Sequence, residues 1–216
     1  MTIVDLTHPI HEAMPFFPGT EPPRISEAYT IAANGFAEKG LQLLSHTGTH
    51  VDAPCHLLAG APTLDELGVG HFCGPGWVLD VSHVRGRSIG IADLQKDEKR
   101  IAAVDFVLFH SGWARFWGEA EYFGAYPVLS ADAARWLSGF KLKGVGVDMV
   151  SLDEVDSISL AVHRALLAKN IVLVENLASL ESLIGKEFIF SCLPLKIADA
   201  DGSPVRAVAI LDSVKK

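Results

Sequence analysis

The stretch His46-Thr47-Gly48-Thr49-His50-Val51-Asp52-Ala53-Pro54-Cys55-His56 constrains this chain more than any other. It sets three imidazoles and a carboxylate close together, the ligand mixture that borderline cations such as Zn²⁺ or Mn²⁺ take. No regular element brings all four side chains to one point. An extended strand lines them up on one face but separates His46 from His50 by roughly 13 Å. A helix would stack those two rings, yet Gly48, Pro54 and the β-branched Thr47, Thr49 and Val51 oppose one. The chain must therefore bend. Gly48 admits backbone angles that a Cβ resists and Pro54 keeps Ala53 extended, so a strand that breaks into a loop around an ion is the expectation. Nitrogen and oxygen donors with few sulfurs are the style of catalytic sites that keep water on the metal, whereas structural sites are closed by four Cys or Cys/His ligands.

His8, His11, His71, His83 and His110 have no such company and read as ordinary core or surface residues. A length of 216 residues with 49% hydrophobic and 20% charged side chains allows one substantial core, so a single domain over 1–216 is expected. The formal charge of -8 comes without a basic face or interleaved aromatics, which argues against nucleic acid and anionic membranes as partners. No basic leader and no apolar run of membrane-spanning length occurs, and a soluble cytoplasmic protein is expected. Cys55, Cys73 and Cys192 form no Cys-x-x-Cys pair and leave an odd thiol, which suits a reducing compartment. Cys55 beside His56 invites a nucleophile reading, but it fills a spacer in a run whose metal chemistry is complete without a thiolate.

Along the chain, Ile3 to Leu6 reads as a short strand and Met14-Pro15-Phe16-Phe17-Pro18-Gly19 as a turn whose two aromatics either line a pocket or staple the loop to the core. Glu27 to Ala32 and Gly40 to Ser45 read as a hairpin around Asn34-Gly35 that leads into the histidine run. Thr63-Leu64-Asp65-Glu66 matches a capping box and predicts a short helix ended by Gly68. Strands are expected at Trp77 to Val81, Val104 to Phe109 and Gly144 to Val147, and helices at Ile91 to Lys99 and from Ser130 through Leu137. The aromatic stretch 113–126 could be core, lid or subunit contact. Leu160 to Lys169 carries a helical apolar repeat with His163 on it, and Ile171 to Val174 is a buried strand ending on Glu175. A carboxylate in that position is costly unless paired, hydrogen-bonded or metal-bound. Glu187 to Ile197 and Val205 to Leu211 flank Asp199-Ala200-Asp201-Gly202, a hairpin signal. Strands outnumber helices, with hairpins at both ends and helix-strand units between. This predicts an α+β fold with a mixed sheet or barrel and helices outside it, and not a doubly wound parallel sheet.

His46-x-Gly48-Thr49-His50-x-Asp52-x-Pro54-x-His56, followed by His163 and by Glu175 in Val174-Glu175-Asn176-Leu177, resembles the metal-dependent cyclase-like hydrolases that include bacterial kynurenine formamidase and isatin hydrolase. The resemblance runs nearly the whole chain. It implies a swivelling β/β/α fold with a barrel-like mixed sheet, assembled as a homodimer or homotetramer. It further implies His46 and His50 as ligands of a first metal, Asp52 and Glu175 as shared ligands, His163 as ligand of a second, and His56 as proton donor and acceptor. The cofactor implied is one or two divalent ions, zinc first and manganese the alternative. Where the formamidases place a Trp that stacks on substrate, Phe17 precedes Pro18-Gly19, and Gly146 to Ser151 lacks the Thr-Pro that tends to follow Asp148 there. Phe17 is accordingly the candidate substrate contact.

The function expected is hydrolysis of a carbonyl-nitrogen bond of a small molecule by metal-activated water, with arylformamidase action on N-formylkynurenine one candidate. Isatin-hydrolase-like action or cleavage of lactones and esters is the alternative. Two other classes stand beside these: a metal-stabilised binding protein without turnover, and a non-haem iron protein using His50, Asp52 and one distant His. The last leaves His56 and Glu175 without a role.

Overall fold

Strands buried on both faces need apolar residues at successive positions, and Phe106-Val107-Leu108-Phe109 and Val172-Leu173-Val174 supply them. In the computed structural model, which describes residues 1–211, the strands are β1 (Thr2–Asp5), β2 (Arg24–Tyr29), β3 (Glu38–Gln42), β4 (His50–Asp52), β5 (Cys73–Asp80), β6 (Phe106–His110), β7 (Gly144–Val147), β8 (Val172–Glu175), β9 (Phe188–Ser191), β10 (Gly202–Pro204) and β11 (Val208–Leu211). The helices are α1 (Ile31–Asn34), α2 (Ile91–Leu94), α3 (Glu98–Ile101), α4 (Ala131–Leu137) and α5 (Ala161–Leu167). One mixed sheet runs in the order β1-β11-β9-β5-β6-β7-β8-β4-β10, and β2 pairs with β3 apart from it. The β5 to β8 centre is parallel and both flanks are antiparallel. This is the expected mixed, barrel-like sheet.

Alternation along the strands splits the core in two. Val107, Phe109, Val145, Val147 and Leu173 face a layer built by α2 to α5, with Leu94, Ile101, Leu137 and Leu166 buried against them. Phe106, Leu108, Val172 and Val174 face the opposite way, against Phe188, Phe190 and Ala209 of the curving antiparallel flank. On β7 that second face carries Gly144 and Gly146, where a Cβ would lie 2.7 Å from the Phe106 ring and 2.6 Å from Leu108 Cδ2. Glycine there makes room for the half-barrel to close on its own interior. Among the described residues, no helix is long and apolar enough to cross a membrane.

Several predicted elements are corrected. The early strands lie at Arg24–Tyr29 and Glu38–Gln42, with the one-turn α1 between them. Thr30 caps that turn, its hydroxyl accepting from Ala33 N at 3.3 Å, and Gly35 ends it at φ 78°. The residues after Thr63 form a turn and no helix. Glu66 accepts from Thr63 N, but the Thr63 hydroxyl donates to Asp65 instead of capping. The span 91–99 is interrupted by a 3-10 turn over Gln95–Asp97. The two closing strands pair antiparallel as expected, β9 with β11, but β9 stops at Ser191 and the residues between them form a loop and β10, which pairs with β4.

Candidate metal centre

Strand β4 sits between β8 and β10, with His50 opposite Glu175 and Asp52 opposite Gly202. That register brings the early motif and residues more than a hundred positions later to one place. Gly48, at φ 68°, turns the chain ahead of β4, and the 3-10 turn Pro54–His56 turns it again beyond. The segment bends where expected. Helix α5 then carries His163 to the same point.

Asp52 and Glu175 are almost fully buried. Asp52 Oδ1 lies 2.7 Å from His46 Nδ1 and 3.2 Å from His50 Nε2, while its Oδ2 lies 3.8 Å from His163 Nε2. Glu175 reaches His163 Nε2 at 3.2 Å with Oε1 and His50 Nε2 at 3.6 Å with Oε2. Two donor clusters result, His46/His50/Asp52 and Asp52/His163/Glu175, which share Asp52. Donors on one ion at bond lengths near 2.1 Å sit about 3.4 Å apart in a tetrahedral shell, so these spacings suit a first-row divalent cation.

The imidazole nitrogens facing away from the cluster are also engaged. His50 Nδ1 donates to Gly48 O at 2.8 Å, His163 Nδ1 to Asp153 Oδ2 at 2.6 Å, and His46 Nε2 to Asp201 Oδ2 at 3.0 Å. Such outer acceptors fix tautomer and ring angle and leave the inner nitrogen for a metal. Asp153 and Asp201 carry no spacing signal, and Asp201 reads in the sequence as a turn residue.

The charge balance tests whether a cation fits. Among the described residues, no Lys or Arg lines the cavity around these carboxylates. Burial opposes the charge on Asp52, yet His50 and His46 outweigh it and hold its carboxyl well below the usual range. Burial likewise opposes protonation of His46 and His163, but Asp52 and Asp201 raise the first to about 9, and Asp153, Glu175 and Asp52 raise the second to about 10. The cluster calls for positive charge, and its donors fit one or two divalent ions.

His56 is half-buried beside this cluster, its ring 4.1 Å from that of His46 and its Nδ1 3.4 Å from Asp201 Oδ2. Burial lowers its pKa below the ordinary imidazole value. It lies outside both donor sets around Asp52, although with His46 and Asp201 it forms a third, more exposed cluster. The predicted ligands and His56 line one cavity of about 270 Å³ together with Phe16, Phe17, Trp117, Tyr122 and Phe123. Both phenylalanines of the early loop are therefore rim residues; Met14, 2% exposed, is what staples that loop to the core. From the 113–126 stretch, Trp117, Tyr122 and Phe123 form cavity wall, and the Tyr122 hydroxyl donates to Asn176 Oδ1 at 2.7 Å. Cys55 is not in the lining, and its thiol faces Ala200 O. His8, His11, His71, His83 and His110 join none of the donor clusters among the described residues.

Fold and site together define a mixed half-barrel that carries a carboxylate-bridged histidine cluster. The model of the family described as "Putative cyclase" matches residues 4–154, and kynurenine formamidase of Bacillus thuringiensis (strain Al Hakam) is 33% identical over 207 residues, 95% of each chain. The chain belongs to this cyclase family. Among solved structures, isatin hydrolase A from Labrenzia aggregata superposes with a TM-score of 0.88 at 24% identity, over 98% of this chain and 94% of that one, a likeness of fold. A potential metal-dependent hydrolase with cyclase activity gives 0.81 at 27% identity over 96% of both chains.

Proposed function

We propose that this protein hydrolyses a carbonyl-nitrogen bond in a small flat molecule, an N-formyl anilide or a lactam, at a divalent metal centre. The observation that carries the reading is that both donor clusters and His56 line the same aromatic-walled cavity. The names of the relatives, kynurenine formamidase and potential metal-dependent hydrolase, point the same way. Ions held by His46, His50 and Asp52, and by Asp52, His163 and Glu175, would polarise the carbonyl and lower the pKa of water from about 16 to about 7. His56 removes a proton from the attacking water and returns it to the departing nitrogen, a role suited to a half-buried imidazole beside the donor clusters. The carbonyl carbon gains the water oxygen, the C–N bond breaks, and a carboxylate and an amine result. Phe16, Phe17, Trp117 and Phe123 hold a ring and exclude solvent.

Zinc is the first choice of ion and manganese the second, and a homodimer or homotetramer, readable by light scattering, belongs to the same proposal. The test is a screen of metal-loaded protein against N-formylkynurenine, isatin and a panel of formamides, lactams and lactones. Turnover of a C–N substrate that falls by about 10²- to 10⁴-fold with His56→Ala is the expected result. Cleavage confined to lactones or esters would move the reading to oxygen leaving groups, and metal-replete protein that cleaves nothing in the panel would defeat it.

A further inference from the structure

Asp201 stands immediately before β10, in a stretch that the sequence marks only as a turn. Its Oδ2 accepts from two imidazoles at once, His46 Nε2 at 3.0 Å and His56 Nδ1 at 3.4 Å. A carboxylate only accepts, so each ring presents an N–H at the nitrogen facing Asp201. For His46 that leaves Nδ1, 2.7 Å from Asp52 Oδ1, as the nitrogen that would give up its proton to take a cation. For His56 the nitrogen left for proton transfer is Nε2.

The backbone around Asp201 is held in place for this contact. Ala53 N donates to Asp201 O at 2.8 Å and Leu64 N to Ala200 O at 2.9 Å, while Gly202 pairs with Asp52 across the sheet. A Cβ on Gly202 would lie 2.6 Å from His46 Cε1. Consecutive residues are thus fitted to His46, one by an acceptor and the next by an absent side chain.

We propose that Asp201 is a positioning residue that sets the tautomers of His46 and His56 together, so that the ring that binds metal and the ring that moves protons share one anchor. The proton-transfer half rests on the hydrolase reading; the tautomers and metal affinity do not. The test compares zinc-loaded wild type with Asp201→Ala and the isosteric Asp201→Asn, with the exposed turn variant Asp199→Asn as control. Three quantities are read: zinc affinity by competition with a chelator, the His56 tautomer by ¹⁵N NMR, and kcat against KM on whichever substrate the screen returns.

Both Asp201 variants should weaken zinc binding, by about 10- to 100-fold for the alanine. They should shift His56 away from its Nδ1–H form and lower kcat more than KM changes, while Asp199→Asn leaves all three readings at wild-type values. In a His56→Ala background, Asp201→Ala should still weaken zinc binding but no longer lower the residual kcat. Should the alanine variant fail to fold, the asparagine variant decides by the same readings. Zinc affinity within twofold of wild type, or an unchanged His56 tautomer, would overturn the proposal. Wild-type protein that binds zinc yet hydrolyses nothing defeats the hydrolase reading alone, and affinity and tautomer still decide about Asp201.

Discussion

Each imidazole of the donor clusters has one nitrogen facing Asp52 or Glu175 and the other held by Gly48 O, Asp153 or Asp201. On the proposed reading, variants separate ligand from proton carrier. His56→Ala should keep bound metal and lose about 10²- to 10⁴-fold in turnover, while His50→Ala and Asp52→Ala should lose the metal itself. Metal analysis of the three variants checks this, and equal metal content in all of them would count against the assignment. His8 offers a test away from the centre. It stacks on Trp117 at 4.0 Å, and burial lowers its pKa from 6.5 to about 4 despite the pull of Asp148. The unfolded chain binds the extra proton first, so this contribution is present above pH 6.5 and lost as pH falls toward 4. Thermal melts of wild type and His8→Phe should therefore show a difference that moves in favour of the variant across that window; a constant difference would refute it. The donors that the fold brings together were legible because His46, His50 and Asp52 stand close together and Glu175 ends an apolar strand. Asp153 and Asp201 were not, since a short acidic residue in a loop looks the same whether it makes a turn or holds a histidine from across the fold.

At the scale of elements, apolar runs in the sequence found the parallel centre of the sheet, and the Ser130 cap predicted from type is present, its hydroxyl accepting from Ala133 N at 3.1 Å. Ser130→Ala should cost about 1 kcal/mol in urea unfolding. Local signals failed where pairing decides the outcome. Asp199 to Gly202 has the composition of a hairpin and β9 and β11 on either side of it do pair, but β10 directly after it is taken by β4, and no nearest-neighbour signal records that partner. The glycines of β7 read as ordinary strand residues, although their reason is the crowding beneath them. Gly146→Val should meet Leu108 and Leu177 and destabilise the fold by about 1–3 kcal/mol. Unfolding within a few tenths of a kcal/mol of wild type would show that the half-barrel interior has room to spare.

For the whole molecule, the parallel centre acts as a scaffold and the chemistry gathers where β8, β4 and β10 meet α5. Among the described residues the buried carboxylates there have no Lys or Arg in the cavity lining, so removing a bound cation should loosen the edge of the sheet before its centre. Zinc at 100 times its dissociation constant should stabilise the metal-free protein by about 2.7 kcal/mol, seen as a rise in melting temperature; no rise would place the ion outside the folded core. The most direct test of the account is anomalous diffraction at the zinc edge from crystals of zinc-loaded protein. Density is expected within bonding distance of Asp52, flanked by His46 and His50 or by His163 and Glu175. Anomalous density only elsewhere, or none at Asp52 in protein shown to contain zinc, would contradict it.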